Sequence, residues 1–466
     1  MPPLRLTSAA AAVASLLLAI PARCDETTCL LASGGRSVVS IAVAGTARQR
    51  TRAAAGTLAA QLRRISGATF ELQVSGEVGS VVVGTVADFP RFAAELPLEP
   101  REDERETFLL RSHAGGVWVI GTTELAVEHA VWDLLYRIGY RQFFPGPTWE
   151  VVPQAQDLSV SVDVVERPSY LSRHIWYGYG PWDYAREPYQ DWCEKNLATN
   201  GIELDTGHIG ELLRHRYADI FKEHPEYLAL VEGQRTSDKF CISNPGLRKL
   251  VVDHALDHFA SQPHGDSLSV EPSDGLGWCE CAECAKLGSP SDRAVFLANE
   301  VATAVSEKHP GKWFGMYAYG GHVAPPNIGV HPRIVVSVAT AFGSAGLTLD
   351  ELMSGWQARG ATIGVREYFS VHPWDRDVPG GAGGWSSARG SDLDYLARTI
   401  PRFHKRGARF FSAESSDNWG LCGRAHSPFA EPLIFCRISV YAEVSPTRSF
   451  FTLMFRGTHV QFVRAS

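Results

Sequence analysis

The apolar positions of residues 37–152 follow two periods. Residues 38–43 form a β-branched run, which predicts a strand, and Leu58, Leu62 and Ile65 recur at helical spacing. A second helical pattern carries Val127, Val131, Leu134, Leu135 and Ile138, starts at Thr122 or Thr123 and stops at Gly139. Short apolar runs beside glycine predict further strands at 80–84, 107–111 and 117–121. This segment is therefore predicted to be a small α/β domain in which two helices cover a sheet.

After a predicted linker at 153–168, strand and helix patterns alternate. The predicted strands are 172–177, 202–205, 267–271, 313–319, 334–339, 362–368 and 408–413. Between them, Asn244 precedes Pro245 as a helix cap, and Ser291 precedes a second helical pattern. Such alternation predicts a parallel sheet, and seven strands predict a TIM-like (β/α) barrel over 169–420 that lacks one strand.

The last segment, 421–466, does not continue this alternation. Its acidic residues are Glu431 and Glu443 against five Arg, and no helical pattern is evident. We expect this tail to replace the remainder of the barrel through truncation or a change of reading frame.

Composition and the first residues restrict the class of protein. The 466 residues are 45% hydrophobic and 20% charged, an ordinary globular balance with room for more than one core. A net charge of −7 without a long basic run gives no support for a nucleic-acid partner. Arg5, the apolar run 9–20 and the small Ala22 predict a signal peptide at 1–22 and a secreted or periplasmic protein. No run is long enough for a membrane span, although a short anchor or buried helix stays open for the first residues.

Two groups of motifs resemble known families. The stretch Gly121-Thr-Thr-Glu124 to Trp149-Glu-Val-Val-Pro153, which includes Gly139-Tyr-Arg-Gln-Phe-Phe-Pro-Gly146, resembles the noncatalytic N-terminal domain of family 67 α-glucuronidases and family 20 β-hexosaminidases. The following part resembles the bacterial domain of unknown function 4838 through its motifs at 240–245, 271–275, 277–284, 317–319 and 366–368. The resemblance implies a glycoside-hydrolase-like barrel whose substrate is not established. The chain departs from that family at Glu271, where a small or apolar residue is usual, and beyond Gly420.

Acidic residues at the predicted strand ends are candidates for catalysis. Glycoside hydrolysis uses two carboxyl groups, one on each side of the scissile bond. Glu367 and Glu414 follow apolar runs and form the leading pair, with Asp274 as the third candidate. Glu271 and Asp417 lie next to these residues and could substitute. The alternative is that these carboxylates cap loops or form salt bridges.

Aromatic and histidine side chains accompany these carboxylates. Their mixture of apolar faces and polar rims suits a saccharide pocket. The predicted substrate contacts are His208, Tyr177, Glu271, Tyr319, Asp417 and Trp419; further members of the group are Trp176, Tyr179, Trp182, Tyr317, His322, His372 and Trp374. Ordinary core packing is the alternative for each ring.

The nine cysteines include one close group, Cys279, Cys281 and Cys284, which Cys241 could join. Disulfides are the first expectation in an exported chain, and a structural zinc site is the alternative. A catalytic thiol is less favoured, because no His stands at a fixed local spacing. The sequence does not pair the other five, which are Cys24, Cys29, Cys193, Cys422 and Cys436.

These observations favour a secreted glycoside hydrolase that acts on a saccharide without a catalytic cofactor. A noncatalytic saccharide-binding barrel is the main alternative. No adjacent Asp–Glu pair closes a predicted strand, which weakens substrate-assisted chemistry, and no H-E-x-x-H motif supports a zinc hydrolase. Oligomeric state is not predicted.

Overall fold

The computed structural model describes residues 28–74, 80–143, 145–177, 186–235, 238–368, 393–415, 451–456 and 459–464. The predicted signal peptide lies outside these residues. In the described ranges no helix is both long and apolar enough to cross a bilayer.

The part before the barrel contains two sheets. One has the strand order β10-β1-β2, and the other has the order β11-β6-β7-β5-β3-β4. The strands are β1 Cys29–Ser33, β2 Arg36–Ser37, β3 Ser40–Val43, β4 Leu72–Val74, β5 Ser80–Thr85, β6 Phe108–His113, β7 Gly116–Gly121, β10 Leu158–Val160 and β11 Asp163–Glu166. A small ribbon is formed by β8 Arg141–Gln142 and β9 Glu150–Val151.

Two helices cover the larger sheet, as predicted. They are α1 Gln49–Ser66 and α2 Glu124–Arg137; short 3-10 turns are Pro90–Ala94, Glu102–Glu104 and Pro147–Trp149. Leu58, Leu62 and Ile65 of α1 are buried in the same cluster as the strands. The Thr123 hydroxyl accepts a hydrogen bond from the Ala126 N–H and so caps α2.

Residues 153–168, predicted as a linker, contain two strands of these sheets. The first, β10, pairs antiparallel with β1, and β11 pairs antiparallel with β6. This segment therefore contributes to the packing of the first part before the chain enters the barrel, while the domain boundaries themselves stay predictions.

The second part is a parallel sheet with the strand order β12-β17-β16-β15-β14-β13. Its strands are β12 Ser172–Tyr177, β13 Ser267–Ser269, β14 Trp313–Ala318, β15 Ile334–Ala339, β16 Thr362–Tyr368 and β17 Ala408–Ser415. The helices are α3 Arg186–Lys195, α4 Ile209–Arg216, α5 Ala218–Glu223, α6 Pro245–Ser261, α7 Ala282–Lys286, α8 Pro290–Lys308, α9 Leu349–Ala358 and α10 Leu393–Lys405, with 3-10 turns at Pro225–Tyr227 and Gly320–His322. Asn244 caps α6 as predicted, but α8 is capped by Ser289 and not by Ser291.

The predicted strand at 202–205 is wrong as a strand, because its backbone makes no ladder with a neighbour. The segment is instead held by side chains: Ser267 Oγ accepts the Asp205 N–H at 2.7 Å and donates to the Glu203 carbonyl at 2.7 Å. Just before the segment, Asn200 Oδ1 accepts the Arg173 N–H of β12 at 2.6 Å. The chain around 200–205 therefore contacts both β12 and β13, the two edge strands of the sheet.

Alternate residues of each barrel strand face the helices or the interior. On β16, Ile363 and Val365 join the large hydrophobic cluster that includes residues of α8 and α9. The interior at the amino ends of the strands is filled by Ile202, Trp313, Val335 and Phe410. Since this end is packed, the polar interior residues lie toward the carboxyl ends.

The two parts are joined through a buried ion pair between Arg173 of β12 and Glu106. The guanidinium donates to Glu106 Oε2 at 2.5 Å and to the carbonyls of Leu197, Thr199 and Tyr170. Neither charged side chain is more than 7% exposed, so the pair is closed to water.

In the predicted tail, the structure describes the strands β18 Phe451–Arg456 and β19 His459–Arg464, which pair antiparallel. The expectation that the tail replaces the end of the barrel stays a prediction, because most of 421–466 lies outside the described residues.

Candidate active site

The carboxyl end of the barrel interior contains an ion pair between neighbouring strands. Arg366 of β16 donates from its guanidinium to Glu414 Oε1 of β17. Arg366 is buried, whereas the Glu414 side chain keeps 19% of its surface exposed. The guanidinium carbon lies 5.4 Å from the Tyr317 ring centroid and 5.7 Å from that of Tyr368. The predicted catalytic residue Glu414 thus faces the interior, with a fixed cation beside it.

A second carboxylate, Asp274, stands in the loop after β13. Tyr319 donates its hydroxyl to Asp274 Oδ1 at 2.6 Å, and the Gly275 N–H donates to the same oxygen at 2.7 Å. Burial raises the pKa of Asp274, but these two bonds and the neighbours His208 and Lys239 outweigh it, so the pKa is below its ordinary value. Asp274 is exposed to solvent and is an anion at neutral pH.

Two of the predicted substrate contacts lie beside Asp274. The His208 and Tyr319 ring centroids are 6.4 Å apart, and the His208 Nδ1 lies 2.8 Å from the Pro272 carbonyl oxygen. Both side chains are half-buried, so parts of both rings remain accessible. The structure brings His208, Tyr319 and Asp274 together.

Glu271 lies in the same region, but its side chain is completely buried. Its Oε2 accepts the Tyr317 N–H at 2.6 Å, and its Oε1 lies 3.2 Å from His322 Nε2. This carboxylate therefore ties the end of β13 to the end of β14. It supports the site from behind and has no surface for a ligand.

Glu367, one of the leading pair predicted from the sequence, faces the other way. Its carboxylate accepts hydrogen bonds from Thr340 Oγ1 at 2.6 Å, the Tyr368 N–H at 2.9 Å and the Tyr395 hydroxyl of α10 at 2.7 Å. It is 0% exposed and shares its strand face with Ile363 and Val365. The structure therefore does not bring Glu367 to Glu414, which is bound by the intervening Arg366.

Most of the remaining predicted contacts lie outside the described residues. Asp417 and Trp419 lie outside the described residues, as do Tyr179, Trp182, His372 and Trp374, and for Tyr177 only the backbone is described. Trp176, the register partner of Glu414 across β12 and β17, is 38% exposed.

Three side chains of this region were missed by the predicted site: Arg366, Lys239 and Trp278. The Lys239 ammonium donates to the Ser273 carbonyl and lies 5.0 Å from the Trp278 ring centroid. Behind them is a cavity of about 20 Å³, room for one water molecule. Trp278 could have been found from its place in the cysteine motif, and Arg366 from its place next to Glu367, whereas nothing in the sequence around Lys239 distinguishes it.

The four clustered cysteines lie close together in the structure. The ligand atoms of Cys241, Cys279, Cys281 and Cys284 lie within 4.8 Å of one another. None of the six cysteines in the described residues is in a disulfide. The expected disulfide is therefore not seen in the cluster.

The central segment of the chain matches the model of a known protein family. Residues 144–368 match the family described as Domain of unknown function (DUF4838). The DUF4838 segment runs from the end of the first part to the end of β16, and thus contains Asp274, Tyr319 and the four clustered cysteines. The resemblance stated from the motifs is confirmed. A search of curated proteins found no match.

Solved structures show the fold around the DUF4838 segment. A GH20 β-N-acetylhexosaminidase from Streptomyces coelicolor A3(2) aligns with a TM-score of 0.50 at 14% identity over 91% of both chains. A β-N-acetylhexosaminidase from Bacteroides fragilis NCTC 9343 aligns with a TM-score of 0.51 at 12% identity over 90% of this chain and 87% of that chain. The predicted glycoside-hydrolase-like fold, a barrel preceded by an α/β part, is confirmed.

A GH115 4-O-methyl-α-glucuronidase with specificity for decorated arabinogalactans also aligns, with a TM-score of 0.48 at 13% identity. The alignment covers 83% of this chain but 54% of that enzyme, so this chain spans about half of its length.

Proposed function

We propose that this protein is a carbohydrate-active enzyme that hydrolyses glycosidic bonds of an oligosaccharide or polysaccharide. The observation that carries the proposal is the placement of Asp274 and Glu414. Asp274 and Glu414 keep surface open to solvent near the carboxyl ends of the barrel strands, whereas Glu271 and Glu367 are completely buried. Glycosidases use two carboxyl groups on either side of the scissile bond.

The two carboxylates have different surroundings, which suits different roles. Asp274 is held as an anion by the Tyr319 hydroxyl and the Gly275 N–H, so we assign it the part of nucleophile or base. Glu414 is assigned the second carboxyl role, on the other side of the scissile bond, and the Arg366 guanidinium that donates to it fixes its position.

The surface around these carboxylates supports saccharide binding. Trp176 offers an exposed ring, and His208 and Tyr319 add half-buried rings with polar edges. Sugars have apolar C–H faces and polar rims, for which such a surface is complementary. Hydrolysis of this kind requires no cofactor.

A noncatalytic saccharide-binding protein is the second candidate, and a specific observation favours it. Both open carboxylates already accept hydrogen bonds from within the protein, Asp274 from Tyr319 and Glu414 from Arg366. A glycosidase needs one carboxyl group that holds a proton at working pH. Asp417, the remaining candidate donor, lies outside the described residues.

The test compares wild type with Asp274→Asn and Glu414→Gln on a panel of aryl glycosides and uronic-acid oligosaccharides. The matched control is Glu367→Gln, which removes a charge from the same sheet but from its outer face. Loss of turnover in the first two variants, with saccharide binding retained and the control active, supports the hydrolase. Saturable binding without turnover by wild type supports the second candidate, and an inactive control with normal folding contradicts our assignment of the outer face.

We also propose that the chain is exported, from the charged and apolar residues that precede Ala22. Amino-terminal sequencing of protein recovered from a secreting host tests this proposal. A mature chain that starts soon after residue 22 supports export, and retention of Met1 contradicts cleavage.

A further inference from the structure

The four clustered cysteines come from two separate loops. Cys241 directly follows Phe240, which ends the loop closed by the Leu228–Phe240 bridge, and Cys279, Cys281 and Cys284 lie at the start of α7. Three of the four side chains are buried, at 4% exposed or less, and Cys281 is half-buried. The loops thus enclose the sulfur atoms, which is typical of a structural metal site.

The distances between the sulfur atoms agree with a tetrahedral ion. Cys241 Sγ lies 3.7 Å from Cys281 Sγ and 3.8 Å from Cys284 Sγ. Four thiolates bound at about 2.3 Å to a tetrahedral zinc ion lie about 3.8 Å from one another. A disulfide needs about 2.05 Å and uses only two sulfur atoms, so it explains neither the spacing nor the group of four.

Backbone N–H groups surround the cluster and point at the sulfur atoms. The Leu230 N–H donates to Cys279 Sγ at 3.3 Å, the Ser243 N–H to Cys284 Sγ at 3.4 Å, and the Cys284 N–H to Cys281 Sγ at 3.4 Å. Such bonds stabilise negative charge on sulfur and fix the orientation of metal ligands. Three of the four thiols therefore have a donor suited to a thiolate.

We propose that Cys241, Cys279, Cys281 and Cys284 bind one Zn²⁺ as a closed tetrathiolate site. The ion joins the loop before Cys241 to the loop after β13. Asp274 and Trp278 lie in that second loop, directly before Cys279. The site therefore fixes the loop that carries one of the mouth carboxylates, without taking part in the chemistry.

The first test measures metal and thiols in the full chain, purified without reductant or chelator. We expect one zinc per chain by mass spectrometry of the metal. Titration with an organomercurial is expected to release that zinc as four thiols react. Iron in place of zinc, or no metal together with a Cys241-containing disulfide in peptide maps, overturns the proposal.

Serine variants of the cysteines test whether the zinc is bound by this cluster. Cys279→Ser and Cys284→Ser are expected to lose the zinc, whereas the matched control Cys193→Ser keeps it, because Cys193 lies outside the cluster beside Trp192. If the cluster variants fail to fold, replacement of the metal in wild type by Co²⁺ gives the answer. The visible bands of a tetrahedral cobalt tetrathiolate are expected, and an octahedral spectrum overturns the proposal.

Discussion

Arg366 and Glu414 form an ion pair across two neighbouring parallel strands, with the guanidinium packed between the rings of Tyr317 and Tyr368. Burial lowers the pKa of Arg366, but the neighbouring Tyr317, Glu414 and Tyr368 outweigh it and the pKa stays above its ordinary value. The arrangement stabilises both charges at the mouth of the barrel. It also means that neither residue can be changed alone without leaving a charge that lacks its partner.

We therefore predict a strong coupling between these residues. Arg366→Met is expected to lower the free energy of unfolding by about 3 kcal/mol, the cost of breaking a largely buried pair. In the double variant with Glu414→Gln, much of this loss is expected to be recovered. Urea unfolding of both single variants and the double variant measures the coupling energy. Additive effects of the two changes would falsify the pairing.

Substitution of Glu367, on the opposite face of β16 from Arg366, is expected to change stability but not saccharide binding. Glu367→Gln keeps the shape of the side chain but removes the charge that three donors share. We expect a loss of about 1–3 kcal/mol of unfolding free energy, with saccharide binding unchanged. Urea unfolding and a binding isotherm check the two parts. Weaker binding at unchanged stability would place Glu367 in the site after all.

Glu367, predicted from the sequence to pair with Glu414, lies on the outer face of β16 beside Tyr395 of α10. Both faces of a parallel barrel strand are buried, so the apolar pattern of 362–368 does not say which face points inward. Alternation along a strand requires only that Arg366 and Glu367 point in opposite directions. Deciding between the two faces needs the partners, Tyr395 on α10 for one and Glu414 on β17 for the other.

Other features of the fold followed from local signals. The cap of α2 at Thr123, the cap of α6 at Asn244 and the alternation of strands and helices agree with the structure. The segment 202–205 did not form a strand, because the Asp205 N–H and the Glu203 carbonyl bond to the Ser267 side chain and not to a neighbouring backbone. Contacts between residues far apart in the chain decide that outcome, and the local apolar run cannot show them.

The free energy of unfolding is expected to depend on pH through the buried carboxylate of Asp292. This buried carboxylate accepts hydrogen bonds from the backbone and side chains of Ser289 and Asn327. Burial raises the pKa of Asp292, but these bonds outweigh it and lower the pKa to about 2. A lowered pKa in the folded state stabilises the protein above the ordinary value of 3.8, and the contribution is lost as the pH falls toward 2.

Asp292→Asn is therefore expected to lower the free energy of unfolding by about 2 kcal/mol at neutral pH. The difference from wild type is expected to shrink between about pH 4 and pH 2. Denaturant unfolding at several pH values measures it. The matched control is Glu351→Gln in the exposed cap of α9, for which a smaller effect is expected. A difference that is constant over this pH range contradicts the role of the charge.

A buried ion pair between Glu106 and Arg173 joins the two parts of the chain. Glu106 and Arg173 are both nearly completely buried, and Glu106 Oε1 also accepts the Gly201 N–H at 2.7 Å. Glu106→Gln leaves the guanidinium without its counter-charge in a site closed to water. We expect a loss of about 3–5 kcal/mol, because breaking one member of a buried pair leaves the other charge uncompensated.

Loss of the Glu106–Arg173 pair is also expected to change how the two parts of the chain unfold. Since Glu106 precedes β6 and Arg173 lies on β12, the change weakens the contact between the first part and the barrel. Unfolding is then expected to separate into two transitions when followed by near-UV and far-UV circular dichroism. Arg111→Met is the matched control, because Arg111 pairs with Glu95 and Asp163 at the surface of the first part, where such pairs contribute about 0–1 kcal/mol. A single transition in Glu106→Gln, with a loss no larger than that of the control, would show that the pair does not couple the two parts.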